Sequence, residues 1–182
     1  LVSLYSKAGT VFCRNCGTPI SPATPQSVAQ EIDEFPEGTR YQIAFPLDLR
    51  PDSNLTELAR MLVEDGLTRI RLDGQMIDLT SGTPIPTTTT AGEAEVIVDR
   101  MIRSREAGAR RIDSIETAFR KGLGRCRILL GVDTKTFIRG WRCGECGTDH
   151  LEPQPNLFRF NSPLGACPTC EGLGFIRGDK SD

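Results

Sequence analysis

The chain has 182 residues, of which 38% are hydrophobic and 25% are charged, and its formal net charge is −2. This composition is typical of a soluble globular protein, and the length fits one ordinary domain or one domain with a small satellite. No apolar run approaches the roughly 20 residues that a membrane-spanning helix needs. The near-neutral charge excludes the strongly basic profile of an autonomous DNA-coating protein.

Helix and strand signals alternate along the middle of the chain. Capping residues and apolar residues at helical spacing predict three helices, at 24–32, 54–65 and 111–123. Thr24 fits the N-cap of the first helix, and Asn54 fits the N-cap of the second. Alternation and strand-forming residues predict strands at 41–45, 68–73, 76–79, 93–102, 126–132 and 136–141. The segment 80–92 is rich in Thr, Gly and Pro, which predicts a flexible loop.

Charge is distributed unevenly. The segment Glu31–Asp65 holds nine acidic and three basic residues, whereas Asp99–Arg127 holds nine basic and four acidic residues. The basic segment is dominated by arginine, which suits bidentate contacts with carboxylate or phosphate. Two interpretations stay open at this point. The charges form a solvated face with ion pairs inside the chain, or they form a surface for an acidic protein or a nucleic-acid backbone.

Six of the seven cysteines form three C-x-x-C pairs: Cys13/Cys16, Cys143/Cys146 and Cys167/Cys170. An odd cysteine count and the lack of a secretion signal argue against a disulfide framework. Two thiolates at this spacing reach one tetrahedral Zn²⁺ at about 2.3 Å. The pairs therefore predict metal binding in preference to redox chemistry.

The last two pairs are separated by the 20 residues 147–166, which matches a known zinc pattern. We therefore predict a closed, structural zinc site made by Cys143, Cys146, Cys167 and Cys170. Two unrelated redox or buried cysteine pairs are the alternative. His150 is the only histidine, and four cysteines leave it no necessary role as a ligand.

The pair Cys13/Cys16 leaves three alternatives open. It supplies half of a second metal site completed by residues outside the chain, it folds back beside 143–170, or it consists of two free thiols in a surface turn. The seventh cysteine, Cys126, lies in a predicted strand, where a buried and inert thiol is expected.

Several motifs together resemble one family. The most distinctive is FRFNSPLGACPTCEGLG at 158–174, and others agree with it in order: LYSKAGTVFC at 4–13, RIRLDG at 69–74, VDR at 98–100, DSIETA at 113–118 and LEP at 151–153. They resemble the N-terminal half of the UvrA family of the bacterial ABC excinuclease. The motifs extend over nearly the whole chain, and the chain begins without an initiator Met, so we expect a piece of a longer protein of this kind.

The resemblance implies a layout and a role. Residues 1–23 would close the first nucleotide-binding region, 24–139 would bind the partner UvrB, and 140–182 would form a zinc module. The expected fold is α+β for 24–139 with a small zinc ribbon attached. By analogy Arg69 and Arg100 would face UvrB, with Arg71 and Arg103 as neighbours. The parent protein would be a cytoplasmic, homodimeric ATPase that recognises damaged DNA.

Missing motifs bear on the alternative functions of the chain. No G-x-x-x-x-G-K-[ST] loop and no Leu-Ser-Gly-Gly signature occur in the sequence, so ATP binding is expected only in the parent protein and not in this segment. A DnaJ-type zinc-dependent chaperone module is the runner-up, because C-x-x-C-x-G-x-G occurs at 167–174. That family repeats the unit four times, whereas this chain carries it once. A free-standing enzyme is disfavoured by the single histidine.

Overall fold

The structure is a computed structural model that describes residues 2–50, 53–82, 92–104 and 106–175. The chain divides into two compact units. The first combines Leu1–Ser21 with Trp141–Asp182, and the second is Pro22–Gly140. The two ends of the chain thus belong to one unit, as expected if the pair Cys13/Cys16 folds back beside 143–170.

The first unit is small and contains little regular structure. Its elements are helix α1 (Val2–Ala8), strands β1 (Val11–Phe12) and β2 (Pro19–Ile20), and a 3₁₀ helix at Pro155–Phe158. Strands β1 and β2 form an antiparallel hairpin, and an isolated bridge joins Arg142 to Asp149. Its buried residues cluster around Cys13, Ile20 and Cys143, so two cysteines belong to the centre of this unit.

The second unit is an antiparallel sheet with helices. Its elements are α2 (Pro25–Asp33), β3 (Arg40–Asp48), α3 (Leu55–Glu64), β4 (Arg69–Leu72), β5 (Gln75–Asp78), β6 (Glu93–Ile102), α4 (Gly108–Lys121), β7 (Arg125–Leu130) and β8 (Asp133–Ile138). The six strands are ordered β5-β4-β6-β3-β7-β8. The expected α+β class is confirmed. Most of the predicted loop at 80–92 lies outside the described residues.

Local sequence chemistry sets the start of two helices. Thr24 and Ser27 form a reciprocal capping box at α2, and the side chain of Asn54 accepts two backbone hydrogen bonds at α3. These caps satisfy amides that would otherwise lack partners at a helix start. Helix α4 begins at Gly108, three residues before its predicted start, because its first turn carries no apolar repeat that would reveal it.

The main apolar core lies on one face of the sheet. Helices α2, α3 and α4 all contribute to it, and its fully buried members include Ile32, Ile43, Ile115, Phe119 and Ile128. Of the helices in the described ranges, none has both the length and the apolar character needed to cross a bilayer.

The opposite face of the sheet is concave. Arg71 of β4 donates to Thr134 Oγ1 of β8 at 2.6 Å, although these strands are four steps apart in the sheet order. In a flat sheet that separation would be about 19 Å, at roughly 4.8 Å per strand. The sheet therefore curls, and it brings charged side chains from distant strands together on this face.

Candidate metal centre and arginine surface

Two hairpins of the first unit have the same sequence and local structure. Residues 13–18 and 143–148 both read C-x-x-C-G-T. In each hairpin the amide of the first cysteine donates to the carbonyl of the threonine, at 2.8 Å in the first and 2.9 Å in the second. The two turns are therefore equivalent supports for a pair of thiols.

A glycine closes each turn. The amide of Gly17 donates to Cys13 O at 2.8 Å, and the amide of Gly147 donates to Cys143 O at 3.1 Å. Both glycines have positive φ, 76° and 70°, which residues with a Cβ adopt at a cost. This left-handed residue turns the chain back and leaves both sulfurs on the same side of the turn.

The four thiols of these hairpins form one cluster. Cys13 Sγ lies 3.5 Å from Cys146 Sγ, and Cys16 Sγ lies 3.4 Å from Cys143 Sγ. All four sulfurs lie within 4.8 Å of one another. A tetrahedral zinc site with bonds of about 2.3 Å has sulfur–sulfur edges of about 3.8 Å. The donor set and its spacing therefore fit a metal ion held by four thiolates.

Hydrogen bonds prepare two of the thiols for deprotonation. The hydroxyl of Thr148 lies 3.1 Å from Cys146 Sγ, and this contact is the main cause that lowers the pKa of Cys146 to about 5. The Cys16 thiol donates to Thr18 Oγ1 at 3.3 Å, and this contact is the main cause that lowers the pKa of Cys16. The pKa of Cys143 shifts the other way: a backbone hydrogen bond from Cys146 lowers it, but burial and side-chain hydrogen bonds with Cys16 and Cys146 outweigh that bond and raise the pKa to about 11. Because the thiolate is the form that binds metals, both threonines favour metal binding.

The structure groups the cysteines differently from the predicted ligand set. Cys143 and Cys146 meet Cys13 and Cys16, and in the described ranges the metal-type cluster does not include Cys167 or Cys170. The Cys167 side chain is exposed and the Cys170 side chain is partly covered. Spacing alone shows that each pair forms a turn, but which turns meet depends on how the hairpins pack.

A sequence signal for the observed pairing was present. Gly and Thr follow the second cysteine in the two hairpins that meet, whereas Glu171 and Gly172 follow Cys170. Of the alternatives for Cys13/Cys16, the structure therefore selects folding back beside the pair at 143–146. His150 is not part of the cluster. Cys126 is fully buried, and burial raises its pKa to about 12, as expected for an inert thiol.

The acidic and basic segments of the second unit pair with each other. Four ion pairs join them: Asp33–Arg111 at 2.9 Å, Glu37–Arg103 at 4.0 Å, Asp48–Arg125 at 2.9 Å and Asp65–Lys121 at 2.7 Å. Of the two interpretations of the uneven charge, ion pairs inside the chain therefore account for a large share of it.

A further series of ion pairs, the charge ladder, crosses the concave face. Acidic and basic side chains alternate along it, in the order Arg71, Glu95, Arg127, Glu93, Arg125 and Asp48. Each interior member contacts two opposite charges. The ladder therefore neutralises several arginines that would otherwise be available to a partner.

The four arginines predicted to face a partner lie in different environments. Arg71 belongs to the charge ladder and is 13% exposed. Arg103 is 16% exposed and donates to Asp33 O at 3.1 Å. Arg69 is 36% exposed and pairs with Asp78 at 3.0 Å. Arg100 is exposed, and no side-chain partner for it lies within the described ranges.

Arg69 and Arg100 line a common cleft of about 250 Å³, together with Arg110. The Asp99 carboxylate also lines it and accepts two hydrogen bonds from Arg110, at 2.8 and 2.9 Å, and one from Ser114 at 3.0 Å. Burial opposes the charge of Asp99, but these hydrogen bonds outweigh it and lower its pKa. The Asp99 carboxylate is thereby paired with Arg110, and among the described residues no carboxylate pairs with the guanidinium of Arg100.

Comparisons with known proteins agree on one family. The model of the UvrA interaction domain matches residues 23–131, which is more than half of the chain. UvrABC system protein A of Bacillus subtilis (strain 168) is 34% identical over 172 residues, and that of Oceanobacillus iheyensis is 36% identical over 172 residues. The protein of the same name from Streptococcus pyogenes serotype M3 is 33% identical over 176 residues.

Each alignment covers 94% of this chain but only 18% of the relative. The chain thus spans about a fifth of the length of these curated relatives. The match to the family model includes most strands and all three helices of the second unit. The chain belongs to the UvrA interaction domain family.

Proposed function

We propose that this chain is the partner-docking segment of a UvrA-type protein of nucleotide excision repair. The second unit docks UvrB, and the first unit carries a structural zinc ion. The observation that carries this proposal is the match of the UvrA interaction domain to residues 23–131, which the second unit contains. The segments 1–23 and 140–182 then connect the docking unit to the rest of the parent protein.

The docking contact is electrostatic in this proposal. Arg69 and Arg100 share a cleft, and Arg100 has no carboxylate partner in the described part of the chain. A planar guanidinium forms bidentate hydrogen bonds with a carboxylate, and such bonds are about twice as strong as neutral ones. Acidic side chains of UvrB would therefore dock here, and the association rate would fall with salt.

The metal is zinc in this proposal. Four sulfur donors in a tetrahedral arrangement select Zn²⁺ or an iron–sulfur centre. Four thiolates fill the coordination sphere and leave no position for a reacting water, so the ion holds the first unit together and supplies no catalysis. The ligands are Cys13, Cys16, Cys143 and Cys146. Elemental analysis of the purified chain tests this assignment: we expect about one zinc per chain, and iron or no metal would contradict it.

ATP hydrolysis, recognition of damaged DNA, dimerisation and a cytoplasmic location belong to the parent protein in this proposal. The phosphate-binding loop sequence is missing from these 182 residues. We therefore assign the segment a binding role.

A binding assay with purified UvrB tests the docking role. We compare the wild-type chain with Arg69→Glu and Arg100→Glu, and use Arg120→Glu as the matched control. Arg120 is an exposed arginine about 15 Å along α4 from Arg110, at 1.5 Å per residue. We expect the wild type and the control to bind alike and both cleft variants to bind at least about 10-fold more weakly.

Two results would contradict this proposal in different ways. If the wild-type chain does not bind UvrB at all, the docking role is wrong. If all four proteins bind equally, the docking role stands but the contact does not involve the cleft.

A further inference from the structure

Two arginines of the sheet differ from the rest in having no counter-ion. Six arginines lie on strands of the second unit, and four of these form ion pairs with carboxylates: Arg69, Arg71, Arg125 and Arg127. Arg40 and Arg100 are exposed, and neither has an ion pair within the part of the chain that the structure describes. Their positive charges therefore face solvent or a partner.

These two arginines are neighbours on one face of the sheet. In the register of β3 and β6, Arg40 is opposite Ile102 and Gln42 is opposite Arg100. Arg40 and Arg100 are therefore diagonal neighbours across the strand pair, with Cα atoms roughly 7–8 Å apart. Two like charges at this spacing repel each other, and a carboxylate between them would relieve the repulsion.

An open cavity of about 570 Å³ lies beside this pair. Its lining includes Arg40, Arg100, Gln42, Ile102 and Leu129. The Oε1 atom of Gln42 is buried and accepts no hydrogen bond from the described residues. A buried acceptor without a donor is costly, so a ligand that brings an N–H group is favoured here. Ile102 is 53% exposed and supplies an apolar wall.

The three features of this cavity select a class of ligand. The paired cations attract an anion, the apolar wall favours an aliphatic or aromatic side chain, and the amide oxygen requires a donor. A phosphate backbone offers acceptors only and would place oxygen against Gln42 Oε1. An acidic peptide offers carboxylates, backbone N–H groups and apolar side chains together. Peptide therefore fits this cavity better than nucleic acid.

We propose that the cavity between β3 and β6 receives an acidic peptide segment of the docking partner. A carboxylate lies between Arg40 and Arg100, an N–H of the segment donates to Gln42 Oε1, and an apolar side chain covers Ile102. This inference rests on the proposed docking function and extends it, because it makes Arg40 a second anchor of the partner. It also extends the proposed contact surface from the cleft of Arg69 and Arg100 to the cavity of Arg40 and Arg100 on the concave face.

The test is a titration of purified UvrB with the wild-type chain, Arg40→Glu, Arg40→Lys and the control Arg120→Glu. We expect Arg40→Glu to weaken binding at least about 10-fold, because the introduced negative charge repels the partner's carboxylate. Arg40→Lys should retain part of the affinity, because it keeps the charge but loses the bidentate fork. Equal melting temperatures of the four proteins would exclude misfolding as the cause.

Each outcome has a distinct meaning. If the wild type binds and Arg40→Glu binds equally well, the cavity is not an anchor, while the docking function stands. If the wild type does not bind UvrB, the docking function and this inference are both wrong. A competition arm identifies the occupant: a glutamate-rich peptide should displace UvrB, and displacement by a single-stranded oligonucleotide but not by the peptide would overturn the peptide assignment.

Discussion

The two units are stabilised by different physics. The second unit has a continuous apolar core in which three helices cover one face of a six-stranded sheet. The first unit has three buried residues at its centre, and two of them are cysteines of the candidate metal cluster. A unit with so little apolar burial rarely folds without a metal or a disulfide. The proposed zinc ion would therefore stabilise the first unit, whereas the second unit would fold without it.

This difference also separates the roles of the two units. All four thiols of the two hairpins belong to the candidate metal cluster, and the proposed zinc ion would use them for structure. Ion pairs compensate most charges of the second unit, and a few arginines at its surface have no counter-ion among the residues that the structure describes. Single residues of the proposed docking surface should therefore tolerate substitution without loss of the fold, whereas substitution of the four clustered thiols should unfold the first unit.

Removal of metal by a chelator should produce the largest difference in stability between the two units. Removal of a structural zinc ion forfeits a binding free energy on the order of 10 kcal/mol, which is larger than the stability of most small units. We expect a strong chelator to abolish hydrogen-exchange protection at residues 13–18 and 143–148, while amides of β3 and β7 stay protected. If the chelator leaves hydrogen-exchange protection unchanged in both regions, the first unit does not depend on a metal and the proposed difference between the units is wrong.

The reverse experiment removes core volume from the second unit. Phe119 is 1% exposed and packs in the main core. We expect Phe119→Ala to destabilise the second unit by about 3–5 kcal/mol, through lost apolar contact and a residual cavity. Denaturant unfolding of this unit measures the change, with Met61→Ala, at an exposed position of α3, as the control. Metal content should be the same in all three proteins, and a loss of metal in Phe119→Ala would indicate that the units are coupled.

Disruption of the charge ladder should lower the free energy of unfolding of the second unit by an intermediate amount. Glu95 contacts both Arg71 and Arg127 and is 16% exposed. We expect Glu95→Gln to cost about 1–3 kcal/mol, because it leaves two partly buried guanidinium groups with weaker partners. The matched control is Glu57→Gln, which breaks an exposed pair with Arg60 and should have a clearly smaller effect. Equal costs for the two variants, measured by urea unfolding, would show that the ladder contributes no more than a surface pair.

The smallest predicted effect concerns pH. Hydrogen bonds from Arg125 lower the pKa of Asp48 below its ordinary value of 3.8. A carboxyl group with a lowered pKa in the folded state stabilises the fold above its unfolded pKa, and this stabilisation disappears as the pH falls through the folded pKa. Asp48 is largely exposed, so the contribution should be below about 1 kcal/mol.

Comparison of Asp48→Asn with the wild type between about pH 5 and pH 2 measures this contribution. We expect the stability difference seen at the upper end of this range to narrow below pH 3.8. A difference that stays constant over the whole range would mean that the Arg125 contact does not depend on the charge of Asp48.

Local sequence patterns predicted the helices and strands better than they predicted which segments contact one another. The caps Thr24 and Asn54 identified two helix starts, because capping chemistry is contained within four residues. Strand β8 was predicted at 136–141 but lies at Asp133–Ile138. Its first four residues are exposed, so they carry no apolar alternation that would have placed its start.

The candidate site depended on contacts over long sequence distances. Cys13 and Cys146 are separated by more than 130 residues, and no local spacing rule connects them. The shared Gly-Thr after each pair was the one sequence feature that favoured their partnership. The same limit applies to Arg40 and Arg100, whose lack of counter-ions became visible only when the other ion pairs of the described residues were located.

Zinc stoichiometry in two paired variants tests the central claim most directly. We compare Cys13→Ser/Cys16→Ser with Cys167→Ser/Cys170→Ser by elemental analysis of the purified proteins. The first variant should lose the zinc bound by the wild type, because it removes half of the four-thiolate cluster, and the second should retain it. Retention of zinc in the first variant together with its loss in the second would contradict the account.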